Sequence, residues 1–143
     1  MNIRPAQKSE FIAIADLWED SVRATHDFLS GDYISELRPQ IINDWLPAVT
    51  VTVFTNSDDE LLGFSGVLDK KLEMLFVASS ARGAGVGKAL LSYAITEMAV
   101  RWVDVNEQNS QAVGFYQHAG FKIIGRSALD GQGKPFPILH MEL

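Results

Sequence analysis

Arg82-Gly83-Ala84-Gly85-Val86-Gly87-Lys88 sets three alternating glycines between two cations. The stretch joins a strand-like run, KLEMLFVA, to a helix-like run, GKALLSYAITEMA. A helix begins with backbone N–H groups that have no partner inside it, at the positive end of its dipole. That end attracts anions. Glycine lets successive N–H groups turn inward and puts no Cβ in a ligand's path. Arg82 adds a charged, fork-shaped donor. The chemistry this pattern supports is a cradle for a pyrophosphate, since a plain turn from strand to helix needs only one glycine.

Two familiar phosphate loops do not fit. The mononucleotide loop G-x-x-x-x-G-K-[ST] would put its first glycine at Arg82 and a hydroxyl at Ala89. The dinucleotide pattern G-x-G-x-x-G would put its third glycine at Lys88 or Leu90. The pattern [QR]-x-x-G-x-[GA] does fit, from Arg82 to Gly87. It resembles the coenzyme A pyrophosphate loop of the GNAT superfamily of acyl-CoA N-acetyltransferases. Asn109, Ala112, Phe115 and Tyr116 form N-x-x-A-x-x-F-Y, followed by Gly120-Phe121. They resemble that family's second signature. The resemblance covers essentially the whole chain. THDFL, VNEQN and GKPFPILH are similar to a bacterial, YjaB-like subgroup. "VASSARG" departs from the acidic residue and proline of many members; those side chains are expected to point outward.

The resemblance implies an α/β (α+β) fold in a single domain, residues 1–143. Its mixed, mostly antiparallel sheet would have about six to seven strands, about four flanking helices and a splay between strands 4 and 5. It implies acetyl-CoA as cosubstrate and no metal. Backbone groups of Leu75, Phe76 and Val77 would hold the pantetheine arm, with the Val77 N–H at the thioester carbonyl. Asn109 and Phe115 would contact the arm. Arg82, Gly83, Ala84, Gly85, Val86, Gly87 and Lys88 would hold the pyrophosphate. Tyr116 would protonate the departing thiolate; its plainer reading is an aromatic packed on an amphipathic helix.

The acceptor amine must lose a proton before it attacks. For a lysine-like amine of pKa about 10.4, deprotonation at pH 7 accounts for roughly 4.6 kcal/mol of barrier, against about 1 kcal/mol for an α-amine. Glu73 is the candidate base. It alternates with Leu72 and Met74, on the face of Leu75 and Val77; a solvated strand carboxylate would look the same. His26, just after the first helix, is a second candidate, as base, orienter or neighbour of a cap. His140 reads as a packed or edge residue and His118 as structural. The activity implied is acetyl transfer to a primary amine, on a small molecule or peptide, by direct attack in a ternary complex. With no cysteine, no cysteine-linked acetyl-enzyme can form. A coenzyme A-binding sensor and a transferase of another acyl group remain the alternatives.

Several elements must position these groups. Residues 2–5 read as a strand. Phe11, Ile14, Ala15, Trp18 and Val22 recur with helical spacing, with Ser9 as N-cap. "GDYISELRPQIINDWLP" reads as one or two helices, kinked or restarted at Pro39. AVTVTVFT, LLGFSGVL and KLEMLFVA read as strands, with a tight turn at Asp69 and Lys70. Leu90, Leu91, Ala94, Ile95 and Met98 share one helix face. WVDV is a strand. "NSQAVGFYQHAG" is a helix capped by Asn109 or Ser110 and closed by Gly120. FKIIGRSAL and PILHMEL are a final pair of strands.

The 143 residues are 47% apolar and 21% charged, with a net charge of −6. That balance opposes nucleic acid as a partner, because phosphate binding needs a basic face. No apolar run is long enough to span a membrane, and the N-terminus does not read as a signal peptide. The absence of cysteine fits a reducing cytoplasm. Monomer and homodimer are both compatible with the sequence.

Overall fold

The computed structural model describes residues 2–25 and 30–143, so the candidate base His26 lies outside the described residues. The chain divides into two compact units, Met1–Val100 and Arg101–Leu143.

In the first unit the strands are β1 (Asn2–Pro5), β2 (Thr50–Thr55), a run of β-branched and aromatic residues, β3 (Leu61–Leu68) and β4 (Lys71–Val77). They pair antiparallel in the order β1-β2-β3-β4. The register places Val53 opposite Phe64 and Phe64 opposite Phe76. The two phenyl rings stack with centroids 5.6 Å apart. Ile14 and Trp18 of α1 (Phe11–Thr25) and Ile34 and Leu37 of α2 (Gly31–Gln40) join Val53 and Phe64 in one core. In a second core, Phe54, Leu75 and Val77 meet Val86 and Leu90 of α4 (Val86–Met98). Each such apolar side chain stabilises by roughly 1.5–3 kcal/mol when fully buried, so helices fix both faces of this sheet.

The local signals hold with two adjustments, and the turn at Asp69 and Lys70 is as expected. Ser9 does not cap α1. A short turn, Lys8–Glu10, precedes the helix, and the Glu10 carboxylate accepts from the Gln7 N–H at 2.9 Å. Pro39 lies inside α2, and a wider π-turn, Ile41–Trp45, leads on into the short α3 (Leu46–Ala48). Proline lacks the N–H that a helix ladder needs, which fits the widening just after it. Asp69 and Lys70 both have positive φ, +50° and +65°, the geometry whose twist matches paired strands.

In the second unit, β5 (Trp102–Asn106), β6 (Lys122–Ser127) and β7 (Ile138–Glu142) pair antiparallel in the order β5-β7-β6. The last two strands are shorter than the sequence suggests. Asn109 caps α5 (Ser110–His118), its side chain accepting from the Ala112 N–H at 3.1 Å. Gly120 closes it at φ +106°. Val103, Val105, Leu139, Met141, Tyr116 and Phe121 are buried.

Candidate active site

β4 leads directly into the glycine loop. Ala78 donates its N–H to Leu62 on β3 at 2.9 Å. Successive N–H groups along a strand point to opposite edges. The Val77 N–H therefore points away from β3. A short turn, Ser79–Ala81, follows. Ser79 does not simply point outward. Its N–H and its hydroxyl both donate to the Asp20 carboxylate of α1, each at 2.8 Å. This tie anchors the start of the loop to a packed helix.

Gly83 and Gly85 have φ of +80° and +83°, values that favour glycine, and both are exposed. A Cβ built on either meets nothing within 4 Å. The glycines are thus required by the curl of the chain, not by packing within the protein. Gly85 is the residue before α4, and no side chain caps that end. The helix ladder begins with the Ala89 N–H on the Gly85 carbonyl, at 3.0 Å. The N–H groups of Gly85, Val86, Gly87 and Lys88 precede it. The Val86 side chain is buried, so this residue offers a ligand only its backbone. Arg82 and Lys88 are exposed beside the loop.

Glu73 departs from the simple alternation expected of it. Met74 pairs with Gly66 and Leu72 with Val67, so β4 carries one extra residue at Glu73. The strand bulges there, and Leu72 and Met74 do not share a face. Bulges recur beside active sites because they re-aim a side chain. The Glu73 carboxylate is 36% exposed, with Lys71 Nζ at 3.9 Å.

In the second unit, Asn109 is engaged in its cap. Phe115 and Phe121 pack edge-on against Tyr116, with centroids at 5.1 and 5.8 Å. Tyr116 is buried, and burial pushes its phenol above the ordinary value, so the ring keeps its proton through neutral pH. His118 is exposed at the end of α5.

Sequence reasoning missed two residues that shape the loop, Asp20 and Gly63. A Cβ at Gly63 would lie 2.8 Å from Val86 Cγ1, 3.0 Å from Leu90 Cδ1 and 3.1 Å from the Phe76 carbonyl. Its missing side chain is what lets the first turn of α4 lie against the sheet. An isolated glycine inside a strand is a signal of close approach. Asp20 leaves no such mark.

A sequence profile described as acetyltransferase (GNAT) domain matches residues 21–143. Over 141 residues the chain is 41% identical to the peptidyl-lysine N-acetyltransferase YjaB of Salmonella typhimurium (strain LT2), covering 99% of this chain and 97% of the relative. The solution structure of apo-form YjaB from Escherichia coli superposes with a TM-score of 0.89 at 40% identity, over 99% of this chain and 95% of the other. The PaiA N-acetyltransferase of Thermoplasma acidophilum, solved in complex with coenzyme A, shares the fold at a TM-score of 0.70 and 20% identity, over 99% and 98%. The α/β fold expected from the sequence is the fold of these proteins.

Proposed function

Because the chain belongs to the GNAT family of N-acetyltransferases, we propose that it carries an acetyl group from acetyl-CoA to the side-chain amine of a lysine in a peptide or protein. The observation that carries this reading is the Gly83–Lys88 loop. Two exposed positive-φ glycines open on to space, and the uncapped start of α4 follows them. A diphosphate suits both the curl of that backbone and its charge. The lysyl acceptor is taken from the relative's name, which is that of a peptidyl-lysine acetyltransferase. One domain, acting in the bacterial cytoplasm where acetyl-CoA is made, suffices for the reaction.

In this reading Arg82 and Lys88 flank the pyrophosphate, and N–H groups from Gly83 to Lys88 bind it. Backbone groups of Leu75, Phe76 and Val77 hold the pantetheine arm, with Asn109 and Phe115 as further contacts. The Val77 N–H, aimed away from β3, meets the thioester carbonyl as negative charge grows there. Such a fixed donor contributes about 3 kcal/mol. A lysine amine requires deprotonation more urgently than an α-amine does. Glu73 on its bulge accepts that proton, directly or through water, and His26 is the alternative base. The amine nitrogen then bonds to the acetyl carbon, the C–S bond breaks, and Tyr116 gives the thiolate its proton.

The test has two arms. Titration of coenzyme A into the purified chain, followed by calorimetry, is expected to show binding. Gly85→Ala, which adds a Cβ where the ligand approaches, is expected to weaken it by about tenfold or more, or 1.4 kcal/mol. Incubation with acetyl-CoA and lysine-containing peptides is expected to release thiol and acetylate lysine. Binding without release of thiol would mark a sensor rather than an enzyme. No binding at all would remove the cradle.

A further inference from the structure

Asp104, His140 and Ser127 form a hydrogen-bonded chain across the three strands of the second unit. Asp104 and His140 are direct partners in the β5–β7 register, and Ser127 is opposite Ile138 in the β6–β7 register. Residues two apart on a strand share a face, so Ser127 lies diagonally beside His140 on that face. His140 Nδ1 is 2.7 Å from Asp104 Oδ1, and His140 Nε2 is 2.7 Å from Ser127 Oγ. The histidine is therefore neither packed in the core nor on an edge strand, contrary to the reading from sequence.

The chemistry follows from the donor and acceptor inventory. A neutral imidazole carries one N–H, and an ionised carboxylate only accepts. Asp104 holds that proton on Nδ1. Nε2 is left as an acceptor, facing the Ser127 hydroxyl. A serine whose proton points at an imidazole, with the imidazole oriented by a carboxylate, is an activated nucleophile. The chain is also within reach of solvent, with the His140 and Asp104 side chains 37% and 32% exposed. Gly125, the partner of His140 on β6, adds no side chain over the ring.

We propose that Ser127, His140 and Asp104 form a second reactive site, one that takes small activated aryl esters. The proposal is independent of coenzyme A binding and of the acetyl-transfer reading. Ser127 Oγ bonds to the ester carbonyl carbon while its proton passes to His140 Nε2. The carbon–oxygen bond to the aryl group breaks, and the aryloxide leaves with the proton from Nε2. Water then releases the acid from the acylated serine. The three groups supply a nucleophile, a base and an orienting charge, and an aryloxide, as a good leaving group, needs little further assistance to depart.

The probe is a fluorophosphonate, which traps such a serine as a stable ester while fluoride departs. Intact-mass measurement and peptide mapping of the full chain are expected to show one adduct, on Ser127. Ser127→Ala is expected to abolish it. His140→Gln is expected to slow labelling by about 100-fold, and Asp104→Asn to slow it too, with circular dichroism and coenzyme A binding unchanged. Absence of an adduct on the folded chain, an adduct that survives in Ser127→Ala, or equal labelling rates in His140→Gln would overturn the proposal. A chain that merely ties three strands together would lower Tm in His140→Gln and leave the fluorophosphonate unreacted.

Discussion

Tyr116 carries its hydroxyl on a ring 7% exposed and edge-packed by Phe115 and Phe121. The ring as a packing element and the phenol as an acid are therefore physically compatible: the ring packs, and its raised pKa keeps the proton an acid would donate. Tyr116→Phe keeps the ring packing and removes the hydroxyl with its proton. If Tyr116 is the acid, kcat is expected to fall by about 100-fold or more with the coenzyme A Kd unchanged; steady-state kinetics and calorimetry on the same variant check both halves. Ser65 poses the opposite case. It is fully buried, and its hydroxyl has no hydrogen-bond partner among the described residues. A buried, unpaired polar group costs about 1–3 kcal/mol. Ser65→Ala is therefore expected to stabilise by about 1 kcal/mol in urea unfolding. A loss of that size instead would mean that the hydroxyl has a partner, such as a buried water.

α4 and the turn before it are held by packing behind the loop. Val86 and Leu90 press on the sheet at Gly63, one of the two glycines of β3. Gly63→Ala is expected to cost about 1–3 kcal/mol by overpacking and to weaken coenzyme A binding, because the first turn of α4 must shift. Adding Val86→Ala to that variant is expected to recover part of both, measured by thermal unfolding and calorimetry. The elements themselves were largely legible. Strands, the Asn109 cap, the Gly120 stop and the glycine loop each depend on a few neighbouring residues. The bulge at Glu73 was not, because L-E-M-L reads as plain alternation until the partner strand counts one residue fewer.

For the whole molecule, acid sensitivity follows in part from an ion pair that ties β1 to the approach of α1. Arg4 holds Glu10 through two bonds of 2.9 Å. The hydrogen bonds from Arg4, aided by the Gln7 N–H, hold the carboxyl at about 2, against an ordinary 4.5. A depressed folded pKa contributes stability that is fully present above the unfolded value. It is lost as pH falls from about 4.5 towards about 2. Denaturant unfolding across that window is expected to show the decline. Glu10→Gln is expected to flatten it while lowering stability at neutral pH.

By itself the sequence determined the glycine loop, the family signatures and the order of elements. Each of these is written in residues adjacent along the chain, where local backbone preferences fix the geometry. Only the tertiary structure decided that Asp20 ties Ser79, that Glu73 stands on a bulge, and that Asp104, Ser127 and His140 meet. These contacts join residues distant in sequence, and they depend on strand register and helix seating. Both are set by how whole faces pack, which no short stretch encodes.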